Sequence, residues 1–181
     1  MTAQPASRTL DENEKITPCM VYLPMRLIWG NLISKKGIRV ETWLKMTLLP
    51  DYLTFLDAQM LIFGGPKPVR QSYAEIYAPL SEILAYHLLP PALQHIEMDY
   101  DPNEPNRKME PTTVYTSVFR FDGYKRISTL GDFSTAIATS KEVFTPLYDV
   151  TVSHPIASTM KPLSVPYLLL RHANATYARK G

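Results

Sequence analysis

Cysteine is all but missing: Cys19 is the only one. That excludes an intrachain disulfide and a cysteine metal cluster, and it makes a reducing compartment the expected setting. Glycine is scarce, seven in 181 residues. The only adjacent pair, Gly64 and Gly65 in FGGPKPVR with Lys67, runs into two prolines. A phosphate-binding loop needs a helix to begin directly after the glycines, so this segment reads as a turn. Long apolar runs are also lacking. The best of them, such as YLPMRLIWG, are broken by Arg or Pro, well short of the roughly 20 residues a membrane helix needs. The first residues, MTAQPASRTLDENEKITP, hold no apolar core and do not read as a secretory signal. A cytoplasmic protein with no membrane partner is expected. Charge is nearly balanced, 19 Lys and Arg against 17 Asp and Glu, whereas a chain that lives on nucleic acid usually concentrates more positive charge.

Reactive constellations are equally sparse. His87, His95, His154 and His172 show neither helical i, i+4 spacing nor zinc-finger spacing, so no metal site is assigned. No Gly-x-Ser-x-Gly elbow occurs. Cys19 follows Pro18 without a paired base and reads as a small apolar residue at a strand entrance. The expectation is a protein with no catalytic residue and no cofactor, and not an enzyme.

What the chain does have is self-similarity. VYTSVFRFDG from Val114 answers VYLPMRLIWG from Val21, so Tyr22 matches Tyr115 and Gly30 matches Gly123, both 93 apart. Further on, YLTFLDAQM answers FTPLYDVTV, setting Asp57 against Asp149 at an offset of 92. LAYH then answers ATYA, with Tyr86 over Tyr177 at 91. An offset that shrinks one residue at a time is what small deletions in loops would leave between two copies of one unit.

Within each copy, apolar and polar residues roughly alternate with β-branched and aromatic enrichment, the pattern of a half-buried strand. VYLPMRLIWG and VYTSVFRFDG each read as one strand. Tyr115, Phe119 and Phe121 are expected on one face, and Gly30 and Gly123 at a turn or bulge. A short helix follows, with Thr42 or Asp132 as cap and Trp43 or Phe133 turned inward. FLDAQMLIF and LYDVTVSHP read as second strands. SYAEIYAPLSEILAYHL and SVPYLLLRHANATYA read as closing strands kinked near Pro79 and Pro166. The expected fold is mostly β: two tandem small antiparallel barrels or curled sheets of Sm/SH3-like type, each with at most one short helix, related by a pseudo-twofold. The expected layout is a tail at 1–18, a first domain at 19–88, a proline-rich linker at 89–112 and a second domain at 113–179.

RISTLGDF, FTPLYDVTV and VPYLLLRHANATYA together resemble a small bacterial β-domain family of unknown function, over 114–177. Arg126, Ser128, Asp132, Phe133, Pro146, Leu147 and Asp149 occupy its pattern positions. RVETWL, and FLDA at 55–58, stand in for the same motifs in the first copy. The order of elements is also similar to Sm-like barrels. The resemblance implies a fold and brings no activity with it.

Asp57 and Asp149 could form an acid/base or metal-binding pair, but repetition in a structural motif favours aspartates that serve the backbone. One charged constellation recurs: Trp29 with Lys35, Lys36 and Arg39 in the first copy, and Tyr124 with Lys125 and Arg126 in the second. Aromatics beside cations suit base stacking and phosphate contact, and they suit a solvated hairpin as well. The expected function is a non-enzymatic interaction, scaffold or assembly protein with a protein partner or self-association. An Sm-like RNA-binding protein is the alternative.

Overall fold

The computed structural model describes residues 8–46, 49–65, 67–89, 103–156 and 160–179. The chain divides into two compact units, Met1–Leu89 and Pro90–Gly181. No described helix is long and apolar enough to cross a membrane.

Unit 1 contains β1 (Glu14–Leu23), β2 (Arg26–Lys35), α1 (Val40–Leu44), β3 (Tyr52–Ile62), β4 (Val69–Pro79), a 3-10 turn (Leu80–Glu82) and β5 (Ala85–Leu88). The segment read as one strand from Val21 is a hairpin. Leu23 pairs with Arg26, leaving Pro24 and Met25 as a two-residue turn with Met25 at φ 56. Proline followed by a residue in the left-handed region is a type II-like turn. Because the chain folds back there, Leu27 lies opposite Tyr22 and so faces away from Val21. A single alternating strand would have put Leu27 and Val21 on the same face. α1 begins at Val40, ahead of the expected cap Thr42, and Arg39 gives it no side-chain cap. Burial of Val40, Trp43 and Leu44 anchors it instead.

All pairings in this unit are antiparallel, in the order β5-β1-β2-β3-β4. The β2–β3 register slips by one residue across Gly30: Trp29 pairs with Gln59, but Asn31 pairs with Leu56. Asp57 and Ala58 therefore oppose Gly30 alone, which is a β-bulge. Asp57 takes the left-handed conformation, φ 47, which Asp tolerates better than bulkier residues do. The bulge pushes β3 against β2 so closely that a Cβ on Gly30 would lie 2.9 Å from the Ala58 Cα and 3.1 Å from the Leu56 oxygen.

Unit 2 contains β6 (Arg107–Thr116), β7 (Phe119–Ser128), α2 (Phe133–Ala138), β8 (Phe144–Ser153), β9 (Leu163–Arg171), a 3-10 turn (His172–Asn174) and β10 (Thr176–Ala178). Its antiparallel order is β10-β6-β7-β8-β9. Here too the expected single strand is a hairpin, turning at Ser117 and Val118 with Ser117 at φ 50. Tyr115 consequently opposes Arg120 and lies on the face away from Phe119 and Phe121, and the Arg120 guanidinium sits 5.9 Å from its ring. Asp132 caps α2 as expected, its carboxylate accepting from the Thr135 N–H at 2.7 Å. Phe133 is only half-buried, packed edge-on to Tyr177 with ring centroids 6.3 Å apart. Asp149 and Val150 oppose Gly123, with Asp149 at φ 48, and a Cβ on Gly123 would lie 2.8 Å from the Tyr148 oxygen.

The mostly β, antiparallel character with one short α-helix per unit is as expected. Among the described strands a closed barrel is not formed: in neither unit does the last strand of the order pair back onto the first. Closure needs tilted, staggered strands that meet at both edges, and among the described strands β4 pairs on one side only, with β3. Strand structure also begins earlier than expected, at Glu14 inside the supposed tail and at Arg107 inside the supposed linker. Each expected closing strand is a long strand, a 3-10 turn and a short strand, with Pro79 ending β4 and Pro166 inside β9. Linker residues 90–102, with His95, lie outside the described residues.

Candidate functional site

The charged and aromatic residues singled out from the sequence do not converge. Trp29 sits mid-strand in β2, half-buried, with the Arg70 guanidinium 5.4 Å from its ring. Lys35 ends the same strand six residues on, which is about 20 Å of extended chain. Lys35, Lys36 and Arg39 are exposed together at the β2–α1 turn, without the tryptophan. Tyr124, Lys125 and Arg126 are consecutive in β7, so their side chains alternate between faces. Tyr124 is exposed and Arg126 is half-buried in an ion pair with Glu104. Lys125 is buried, 6% exposed, and its Nζ donates to Thr145 Oγ1 at 2.5 Å. Burial pushes its pKa down, against a smaller opposing pull from Glu142. A lysine so enclosed is no surface contact for phosphate.

Asp57 and Asp149 belong to separate units, each exposed at its own bulge. Beside the second bulge lies a cleft of about 230 Å³, lined by Pro111, Thr113, Asp122, Tyr124 and Asp149 among others. Asp122 is already engaged there, accepting from Thr113 Oγ1 at 2.6 Å and from Arg120 Nη2 at 2.9 Å, with Arg120 Nε 2.8 Å away in the same ion pair.

The larger concavity is in unit 1, about 630 Å³. The last residues of β2 and the buried face of α1 supply Ile33, Ser34 and Trp43. Tyr52 and Thr54, from the start of β3, line it too. The turn into β1 adds Arg8, Asp11, Asn13 and Glu14. That turn is held by its own bonds: Glu14 accepts from Arg8 at 2.7 Å and from the Asp11 N–H at 3.0 Å, and Asp11 accepts from the Asn13 N–H at 3.1 Å. Ser34 is 3% exposed and its Oγ has no protein partner, an uncommon state for a buried hydroxyl. Of the lining, Trp43 stood out in the sequence as a core anchor and Lys35 as one of the clustered cations, whereas Ser34 did not. The signal was nevertheless in the offset of 93, which places Ser34 against Ile127 and Trp43 against Ala136.

Each unit also holds a His–Tyr pair, buried in unit 1 and half-buried in unit 2. In unit 1, His87 Nδ1 donates to the Leu88 carbonyl at 2.7 Å, which leaves Nε2 to accept from the Tyr22 hydroxyl at 2.9 Å. Burial holds His87 neutral, its pKa pushed down to about 4, and drives the Tyr22 phenol upward. In unit 2, the Tyr177 hydroxyl and His172 Nδ1 lie 3.0 Å apart. Burial again raises the phenol's pKa. Among the described residues, no group of three or more His, Cys, Asp or Glu is placed to hold a metal ion. The chain matches no protein-family model, and no curated protein or solved structure is detectably similar to it.

Proposed function

We propose that the chain is a tandem duplication of one small Sm/SH3-like β-module and works as a non-enzymatic interaction module that accepts an extended strand of a partner chain, a second copy included, on the outer edge of β4. The observation that carries the reading is that edge. β4 runs eleven residues and pairs only with β3 among the described strands. Residues 69–74 are all exposed, so both faces of the strand meet solvent there. Val69, Tyr73 and Tyr77 are exposed as well, at 52%, 39% and 57%. Folded proteins usually blunt such an edge with short strands, bulges or proline, and here the only proline is Pro79, at the end. An open edge of this length supplies main-chain hydrogen bonds to an added strand, with alternate side chains giving selectivity.

Support for the duplication comes from the spacing of elements. The first residues of β1 and β6, of β2 and β7, and of α1 and α2 are 93 apart (14 and 107, 26 and 119, 40 and 133). Those of β3 and β8 are 92 apart (52 and 144), and those of β5 and β10 are 91 apart (85 and 176). The Gly–Asp bulge recurs in register. A fifth strand lying against the first, after a 3-10 turn, is the order expected of an Sm- or SH3-like module, here with the sheet left open.

Sizing by light scattering, a pull-down from native lysate and hydrogen exchange test the proposal together. Self-association or capture of a partner, with slowed exchange along Val69–Pro79, supports it. A strict monomer that captures nothing, or an assembly that leaves β4 exchange unchanged, overturns it.

A further inference from the structure

We propose that the strand received on the outer edge of β4 is β4 of a second copy of this chain, paired antiparallel about a twofold axis at Tyr73. The inference rests on the edge reading above and adds the occupant and its register.

Backbone alternation comes first. The Leu80 N–H donates to the Asp51 carbonyl at 2.8 Å, so Tyr52 and Pro79, the next pair along, exchange no hydrogen bond. The β3–β4 register is constant from that pair to Ile62 and Val69. Bonded and non-bonded pairs alternate along an antiparallel ladder, so Val69, Gln71, Tyr73, Glu75 and Tyr77 turn their N–H and C=O groups away from β3. Pro68 and Pro79, which have no N–H to give, flank the segment. The outward set is symmetric about Tyr73. A twofold normal to the sheet makes the two β4 strands antiparallel and keeps each face with itself. With Tyr73 on the axis, every outward group from Val69 to Tyr77 meets one from the second copy, about ten main-chain hydrogen bonds in all.

The side chains fit the same register, because directly opposed residues share a face. Tyr73 meets Tyr73 of the second copy, Val69 meets Tyr77 and Gln71 meets Glu75. The Tyr73 hydroxyl donates to Gln71 Oε1, which leaves the Gln71 amide N–H groups to donate across the junction. The Tyr77 hydroxyl donates to Glu75 Oε2 at 2.5 Å, and a carboxylate has further sites to accept that amide. Each junction then carries an unbroken line from tyrosine to glutamine to glutamate to tyrosine, and symmetry makes it twice. On the other face Arg70 meets Ile76 and Ser72 meets Ala74, so no like charges are opposed. An axis at Arg70 or Glu75 would oppose like charges, which destabilises a pair. An axis at Ser72 or Ala74 would leave the Glu75 carboxylate facing Val69 or Tyr73 in place of the amide.

The test is sedimentation of the purified chain over a wide concentration range, with hydrogen exchange of β4 at both ends of it. A monomer–dimer equilibrium is expected, with exchange along Val69–Tyr77 slowed in the dimer. Gln71→Glu sets a carboxylate against Glu75 twice per dimer and should weaken association about 2- to 30-fold, while Gln71→Lys should tighten it by a similar factor. Gln71 is exposed, and circular dichroism checks that both variants fold. Should Gln71→Glu fail to fold, Tyr73→Lys, which sets two ammonium groups across the axis, should weaken the dimer in its place. The proposal is overturned if the purified chain stays monomeric throughout, or if Gln71→Glu and Gln71→Lys move the dissociation constant in the same direction or not at all. A monomer that captures a different protein, with β4 exchange slowed, overturns this inference alone and leaves the edge reading standing. A dimer with unchanged β4 exchange overturns both.

Discussion

Replacing Gly123 with alanine should destabilise unit 2, although the added methyl group is apolar and the backbone there is not left-handed. A Cβ at this position would lie 2.8 Å from the Tyr148 oxygen and 3.2 Å from the Val150 Cα. Both are backbone atoms of the bulge strand and can move only if the ladder moves with them. Overpacking of this kind costs about 1–3 kcal/mol, while alanine returns about 0.4–1 kcal/mol by narrowing the unfolded ensemble. Taking the middle of each range, the net loss is about 1.3 kcal/mol, or roughly 5–10 °C in Tm for a unit of this size. Gly30→Ala should behave alike in unit 1, where the obstacle is the Ala58 Cα at 2.9 Å. Gly64→Ala is the internal control: nothing lies within 4 Å of its added Cβ, so it should be neutral or slightly stabilising. Urea denaturation followed by circular dichroism reads all three. A Gly123→Ala protein as stable as the parent, or equal effects at Gly30, Gly64 and Gly123, would refute the claim that the bulge excludes a side chain.

Other outcomes follow from the same structure. Asp57 and Asp149 hold left-handed backbone, so Asp57→Gly should be close to neutral and Asp57→Val should cost about 1–2 kcal/mol, both read by urea midpoints. His87 is neutral when folded, with a pKa of about 4 against an ordinary 6.5. The unfolded chain therefore takes up its proton first as pH falls, and unit 1 should lose stability from about pH 6.5 down to pH 4, by about 3 kcal/mol in total. Urea midpoints at pH 7 and pH 5 should differ in the parent and converge in His87→Gln. Lys125 and Thr145 stand where unit 1 has the buried leucines Leu32 and Leu53. The double replacement by leucine should be neutral or stabilising, whereas Thr145→Val alone should cost about 1–3 kcal/mol by stripping the buried ammonium of its partner. Calorimetry of the three variants would show that non-additivity.

Much of the framework was legible in the sequence, because β-rich modules leave marks in glycine, aspartate and aromatic positions that side-chain packing does not blur. Gly30 with Gly123, and Asp57 with Asp149, stood out as repeats, and the bulge explains why those residue types occur there. The hairpins were missed because a two-residue turn interrupts alternation for only two positions. Met25 and Ser117 carry no glycine to announce the left-handed backbone they adopt, so VYLPMRLIWG looked continuous. The open sheet was not legible either, since closure depends on strand tilt and stagger, which the alternation of residue types does not encode. Lys125 misled as a cation beside an aromatic, because a strand sends consecutive side chains to opposite faces. Ser34 escaped notice because a lone serine in an apolar strand gives no signal until it is set against its counterpart, Ile127.

The account rests on one slip of register, made in the same way in both units, and cross-strand NOEs measure it directly. Contacts should link Trp29 with Gln59 and then Asn31 with Leu56, and likewise Asp122 with Thr151 and then Tyr124 with Tyr148. An unbroken ladder, pairing Asn31 with Asp57 or Tyr124 with Asp149, would contradict it.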